Sequence, residues 1–213
     1  MKKAALIQTG TCIPHRTDSG LIIAYLKKNG WVLTNKINNA DVIIINTCAF
    51  KKEPENVSLK LIEKAKKQKN KDAQMIVTGC LPYINKVRLA RMFKGDTIGA
   101  NNLTELDRLL NAKKSIASIN YIGSPRKLQV NKRLQYNLRI GWGCYGKCSY
   151  CAIKFVFGRP RSRPVADILQ ELENAYLKGY REFILVANDS GSYGLDLHSS
   201  LIYLLDKLFQ RHN

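Results

Sequence analysis

The chain has 213 residues, 45% hydrophobic and 24% charged, which is the composition of a soluble globular protein with room for one large domain or two small ones. No run approaches the roughly 20 consecutive apolar residues that a bilayer span requires, and Met1-Lys2-Lys3 followed by residues 4–7 is too short for a signal peptide, so a cytoplasmic protein without a membrane partner is expected. The net charge of +19 is unevenly spread: residues 1–162 carry 30 Lys and Arg against 9 Asp and Glu, and from Arg108 to Ala166 there is no acidic residue at all. A one-sign field of that length attracts polyanions, which favours RNA as a partner over a merely solvated lysine-rich surface.

Short apolar runs at 4–8, 42–46 and 75–78 have the character of buried strands. Between them lie helical stretches. One starts near Asp18-Ser19 and stops at Gly30; another, over 53–69, puts Val57, Leu61, Ile62 and Ala65 on one face. Weaker helices fit 86–92 and 104–110. This strand–helix alternation predicts a parallel-sheet α/β domain over residues 1–112. Residues 113–135 read as a basic linker turning at Gly123-Ser124-Pro125. A second unit, 136–213, opens with a strand at 136–140 and a Gly/Cys loop. Its helix presents Val165, Ile168, Leu169, Leu172, Ala175 and Tyr176 on one face and ends at Gly179. A strand at 183–186, a glycine-rich loop and a helix at 201–209 complete β-α-β-α, the start of a second parallel sheet.

All six cysteines fall into two sets. Cys144, Cys148 and Cys151 share the loop after the 136–140 strand, while Cys12, Cys48 and Cys80 each follow one of the three N-terminal strands. In a parallel sheet the carboxyl ends of the strands gather at one edge, so three loops there bring distant thiols together. Disulfides do not suit a cytoplasmic chain. Structural zinc wants four ligands; neither set has a fourth cysteine, and a histidine as the fourth ligand stays open although none has a suitable spacing. Taken singly, Cys12, Cys48 and Cys80 read as small buried hydrophobes, but their shared position at strand ends argues against that. Two three-thiolate sets suit [4Fe–4S] clusters with one iron left open.

These residues carry a resemblance. Cys144-Tyr-Gly-Lys-Cys148-Ser-Tyr-Cys151, then Phe157-Gly158-Arg159 and Arg161-Ser162-Arg163-Pro164, resembles the cluster loop of the methylthiotransferase family of radical-SAM enzymes. Asp189-Ser190-Gly191-Ser192-Tyr193-Gly194 is similar to that family's segment after the second barrel strand, with Asn188 where Gln is usual. Asn46-Thr47-Cys48 and Thr78-Gly79-Cys80-Leu81-Pro82 match its N-terminal half, whereas its Asn is replaced in the His15-Arg16 region. The likeness covers nearly the whole chain.

The resemblance implies the first βα units of a radical-SAM partial TIM barrel after the N-terminal domain. It implies that Cys144, Cys148 and Cys151 hold a cluster that reduces S-adenosyl-L-methionine to a 5′-deoxyadenosyl radical. Cys12, Cys48 and Cys80 then hold an auxiliary cluster whose sulfur is methylated and delivered to an unactivated carbon. A reductant such as flavodoxin or ferredoxin is implied. The expected target is C2 of N6-modified adenosine-37 in tRNA, on the strength of the charge; the alternative is an aspartate of a ribosomal protein, which Cys48-Ala49-Phe50 and Gly79-Cys80-Leu81-Pro82 resemble more. Only 62 residues follow Cys151, enough for about two βα units, so a partner or a missing segment is expected to complete the barrel.

Other candidates carry bland readings beside functional ones. Tyr150 is a candidate for the cofactor site, and with Tyr145, Phe155 and Phe157 for base stacking, although core packing is expected of both phenylalanines. Asn188, Asp189 and Ser190 are candidates for contacting S-adenosyl-L-methionine, or ordinary turn formers. Arg159 is a candidate for the cofactor carboxylate, and Lys154, Arg161 and Arg163 for RNA phosphates, against a solvated loop. His15, His198 and His212 read as surface residues, and Trp31 and Trp142 as packing groups. Besides an active methylthiotransferase, two functions compete: a catalytically incomplete cluster- and RNA-binding protein, and a zinc-dependent nucleic-acid binder.

Overall fold

A computed structural model describes residues 1–10, 12–119, 125–127 and 134–211. His212 and the Gly123-Ser124 part of the expected turn lie outside the described residues. The chain divides into two compact units, residues 1–119 and 120–213.

The first unit is a parallel sheet with helices on both faces. β1 (Lys3–Gln8) leads into α1 (Ile13–Lys28) and the edge strand β2 (Val32–Leu33); β3 (Val42–Thr47) is followed by α2 (Lys52–Gln68). β4 (Gln74–Gly79), the short helices α3 (Leu81–Ile84) and α4 (Lys86–Met92), the edge strand β5 (Asp96–Thr97) and α5 (Glu105–Leu109) complete it. The strand order is β2-β1-β3-β4-β5, parallel throughout. β3 is buried on both faces, which is why it reads as an uninterrupted apolar run. Ile43, Ile45, Met75 and Val77 pack with Leu59, Ile62 and Ala65 of α2 on one side of the sheet. Ala4, Ile44 and Ile76 pack with Ile22, Tyr25 and Leu26 of α1 on the other. Ile116 also belongs to that second core, so the unit continues past residue 112.

Two expectations need correcting. α1 begins at Ile13, five residues before the expected start, directly behind Cys12 with Pro14 in its first turn. The buried face of α2 is also turned from the expected one: Glu55, Ser58, Leu59, Ile62 and Ala65 are buried, while Val57 is exposed.

In the second unit β6 (Pro125–Lys127) pairs antiparallel with β7 (Leu134–Arg139) inside the stretch expected to be a plain linker. β8 (Gly141–Trp142) leads into the cysteine loop, which returns through α6 (Ile153–Phe157) and β9 (Arg161–Ser162), antiparallel to β8. α7 (Val165–Leu177) and β10 (Glu182–Val186) follow, β10 parallel to β7, and α8 (Leu201–Phe209) closes the described chain. Tyr136, Leu138 and Ile140 pack with Ile168, Leu172 and Ala175 of α7 and with Leu204 of α8. No helix among the described residues is long and apolar enough to cross a membrane.

Candidate metal centres

The register of the first sheet lines up the loops that carry its cysteines. Asn46 pairs with Gln8 on one side and Thr78 on the other, and Thr47 pairs with Gly79. Cys48 and Cys80 therefore leave adjacent strands at the same level, and Cys12 sits at the N-cap of α1, just past β1. Gly79 makes the approach possible. Its φ is +97°, and a Cβ there would stand 2.3 Å from the Thr47 carbonyl oxygen. The Cys80 amide donates to that same oxygen at 2.8 Å.

The seat of Cys48 is polar and closed. Its amide donates to the Thr9 hydroxyl at 2.8 Å and to Ser58 Oγ at 3.1 Å, while the Ser58 hydroxyl lies 2.7 Å from the Cys48 carbonyl oxygen. The Asn46 side-chain amide donates to the His15 carbonyl at 3.2 Å and to Ser19 Oγ at 2.9 Å, pinning α1 to the end of β3. Electrostatics couple the three thiols. Burial pushes the Cys80 thiol up to about 12, and negative charge on Cys48, Cys12 and Asp18 adds to the rise. A bound cation would relieve the burden on the Cys80 thiol. Buried, partly buried and exposed side chains all occur in this trio, at Cys48, Cys80 and Cys12.

His15 was expected at the surface and is instead 4% exposed. Burial lowers its pKa to about 4, against the polar backbone of Thr47 and Asn46, which acts in the opposite direction. Ser58 carries no expectation from the sequence, although a serine on the apolar face of α2 is a usable signal.

The second set lies in the loop after β8. Gly143, at φ +80°, lets the loop pass against the Arg159 carbonyl oxygen, 2.2 Å from where its Cβ would be. The segment after β10 holds this loop from the other side. Asn188 Oδ1 accepts the Gly143 amide at 3.1 Å, and the Cys144 thiol donates to Asp189 Oδ2 at 3.4 Å. The Gly146 amide, donating to Cys144 Sγ at 3.1 Å, pulls that thiol down, but burial, Asp189 and Cys151 outweigh it and the net shift is upward. Burial acts against ionisation of Asp189, yet hydrogen bonds from Cys144, Ser192 and the Tyr145 backbone bring it below the usual carboxylate range. Two of the three residues expected at S-adenosyl-L-methionine thus order the cysteine loop, and the third, Ser190, closes a turn in which its carbonyl accepts the Tyr193 amide at 3.1 Å.

Among the described residues no three or more His, Cys, Asp and Glu side chains stand already converged on a metal-binding point. What the fold brings together is the loops, close enough that Cys48 and Cys12 act on the Cys80 thiol and Cys151 on the Cys144 thiol.

The remaining candidates separate by exposure. Tyr150 is 89% exposed and Tyr145 is exposed. Phe155, expected in the core, is 64% exposed with Lys154 Nζ 5.1 Å from its ring centre, whereas Phe157 is buried. Arg159 and Arg161 are exposed, and Arg161 stacks over Trp142 at 5.9 Å. Arg163 is differently engaged. Its guanidinium bonds the Glu171 carboxylate and the Arg139 carbonyl, and Glu171 also accepts the Tyr136 hydroxyl at 2.8 Å. That is a tie across α7 and β7, not a free cation for phosphate.

Residues 4–99 match a family described as "Uncharacterized protein family UPF0004". The ribosomal protein uS12 methylthiotransferase RimO of Desulforamulus reducens is 33% identical over 225 positions, covering 99% of this chain and 50% of the relative. The protein of that name in Acetivibrio thermocellus is 34% identical over 216 positions, covering 92% and 47%. The chain spans about half the length of the curated relatives it matches. Among solved structures, the radical S-adenosylmethionine methyltransferase TsrM of Kitasatospora setae, with tryptophan and a SAM analogue bound, matches in fold with a TM-score of 0.64 at 13% identity, over 99% of this chain and 51% of that one.

Proposed function

The chain belongs to the methylthiotransferase family of radical-SAM iron–sulfur enzymes, and from that premise we propose that it carries the cluster-binding part of an enzyme that places a methylthio group on an unactivated carbon. The observation that carries this reading is where the six cysteines fall: Cys12, Cys48 and Cys80 in the loops that follow β1, β3 and β4, and Cys144, Cys148 and Cys151 in the one loop between β8 and α6.

The donor sets fit the cofactor: three thiolates leave one iron of a four-iron cluster open for a non-protein ligand. Cys12, Cys48 and Cys80 hold one cluster; Cys144, Cys148 and Cys151 hold the other. With an iron–sulfur cluster and S-adenosyl-L-methionine bound, the second set would supply radical chemistry for attack on a C–H bond, the electron coming from a flavodoxin- or ferredoxin-type donor. The chain's own work is to hold and orient. Asn188 fixes the Gly143 amide, and Ser58 with Thr9 fixes the Cys48 backbone.

We assign the target to a ribosomal protein of the uS12 class in preference to tRNA. The basic field that favoured tRNA attracts any RNA, so it serves equally to dock on ribosomal RNA beside such a protein. Lys154, against the exposed Phe155 ring, and Arg161, over Trp142, are the side chains we assign to that contact. The test is anaerobic reconstitution with iron and sulfide, then S-adenosyl-L-methionine, reductant and a uS12 ribosomal protein as acceptor. The expected result is 5′-deoxyadenosine, abolished by Cys148→Ala, with a methylthio group on the acceptor. Cluster-loaded protein that never cleaves S-adenosyl-L-methionine would mean that these residues hold clusters but do not by themselves make the radical site.

A further inference from the structure

The first unit buries a histidine that the proposed chemistry leaves unused. His15 lies in the first turn of α1, three residues after Cys12, and its seat depends on Gly10, where a Cβ would come within 2.8 Å of the imidazole ring. Asn46 anchors the His15 carbonyl and the Ser19 hydroxyl, so the backbone under the ring is fixed. The ring has no such anchor: among the described residues neither Nδ1 nor Nε2 makes a hydrogen bond. An imidazole donor and acceptor both buried and unmade are unfavourable, and a native fold that keeps them calls for a partner.

The position indicates which partner. The ring meets the backbone of Thr47 and Asn46, the last residues of β3, in contacts that fall short of full hydrogen-bond geometry. Thr47 directly precedes Cys48, and its carbonyl receives the Cys80 amide at 2.8 Å. The helix that bears the histidine is the one capped by Cys12. His15 thus shares its supports with all three cysteines of the set.

We propose that His15 is the fourth protein group of the N-terminal three-cysteine site, donating a ring N–H hydrogen bond to a sulfur of the cluster those cysteines hold. This rests on the cluster assignment proposed above. Direct ligation to iron would close the position which that chemistry needs, so donation to sulfur is the role that fits. His15 is then a positioning residue. A donor to cluster sulfur stabilises the more negative, reduced cluster and raises its potential.

The experiment uses the full chain with Cys144, Cys148 and Cys151 changed to alanine, reconstituted with iron and sulfide, labelled with ¹⁵N-histidine, reduced and examined by pulsed EPR. The expected result is a weak histidine-nitrogen coupling and an exchangeable proton, both lost in His15→Phe. The His15→Phe cluster should also have a more negative potential, while His15→Gln, which keeps an N–H donor, should stay near the parent. A fully loaded cluster without histidine coupling overturns the inference, as does the strong coupling of a directly bonded nitrogen. A chain that takes up no iron on its first-unit cysteines overturns the cluster assignment and this inference with it.

Discussion

Two glycines of the first unit separate backbone strain from close approach. Gly30 (φ +80°) ends α1 in open space, with nothing within 4 Å of where a Cβ would stand, whereas a Cβ on Gly79 (φ +97°) would meet the Thr47 oxygen at 2.3 Å and the Thr47 nitrogen at 2.7 Å. Gly30→Ala therefore carries only the left-handed penalty, about 1 kcal/mol. Gly79→Ala carries that penalty plus a clash with a peptide that cannot swing aside, because Thr47 is held in the sheet by Gly79 itself and by the Cys80 amide; together these cost roughly 3–5 kcal/mol. A unit of 119 residues has about 6–18 kcal/mol in reserve, so the variant should still fold. With a urea slope of about 2 kcal/mol per molar, the midpoint should fall by about 2 M for Gly79→Ala and about 0.5 M for Gly30→Ala. Trp31 fluorescence in a Trp142→Phe background reads the first unit alone, since Trp31 packs on its core. Because Cys80 follows Gly79, iron uptake by the first unit should fall as well. Equal midpoints for the two alanine variants would refute the claim that β3 and β4 touch at this point.

Individual contacts give three more expected outcomes. Ser58→Ala removes a buried hydroxyl that bonds both the amide and the carbonyl of Cys48; it should cost about 1–3 kcal/mol in urea unfolding and slow iron uptake at the first set. Glu171→Ala takes the carboxylate partner from the Arg163 guanidinium, which keeps the Arg139 carbonyl, and removes one hydrogen bond from the Tyr136 hydroxyl; about 2–4 kcal/mol should be lost from the second unit, read by Trp142 fluorescence. In the metal-free chain His15, lowered to about 4 from its ordinary 6.5, is neutral in the folded state while the unfolded chain takes up a proton. Stability should thus be whole above pH 6.5 and fall by on the order of 3 kcal/mol as pH drops toward 4, a slope that His15→Gln flattens in urea midpoints measured against pH.

The parallel α/β class was legible because its strands and helices carry the pattern physics requires: β3 is apolar along its length, and Ile168, Leu172 and Ala175 fall on one stripe of α7. The start of α1 was hidden because its buried face is polar, comprising His15, Thr17, Asp18 and Ser19, so no apolar period marks it. α2 shows the same effect in miniature, since buried Glu55 and Ser58 displaced the apparent face toward Val57. Strands β2, β5, β8 and β9 have two residues each, too few for any alternation to register. Of the candidate sites, the cysteine positions could be read from spacing after strand ends. The supports could not, because Asn188 and Asp189 meet the cysteine loop across 45 residues of sequence. Arg163 looked like its exposed neighbours Arg159 and Arg161, and only the tertiary contact with Glu171 sets it apart.

The central claim is that the six cysteines form two independent cluster sites, and iron and sulfide counts after anaerobic reconstitution test it most directly. The parent chain should hold about eight irons, and the triple alanine variants at Cys12, Cys48 and Cys80 or at Cys144, Cys148 and Cys151 about four each, with the absorbance of a [4Fe–4S] centre. A parent chain with about four irons, or one triple variant that loses them all, would contradict the account.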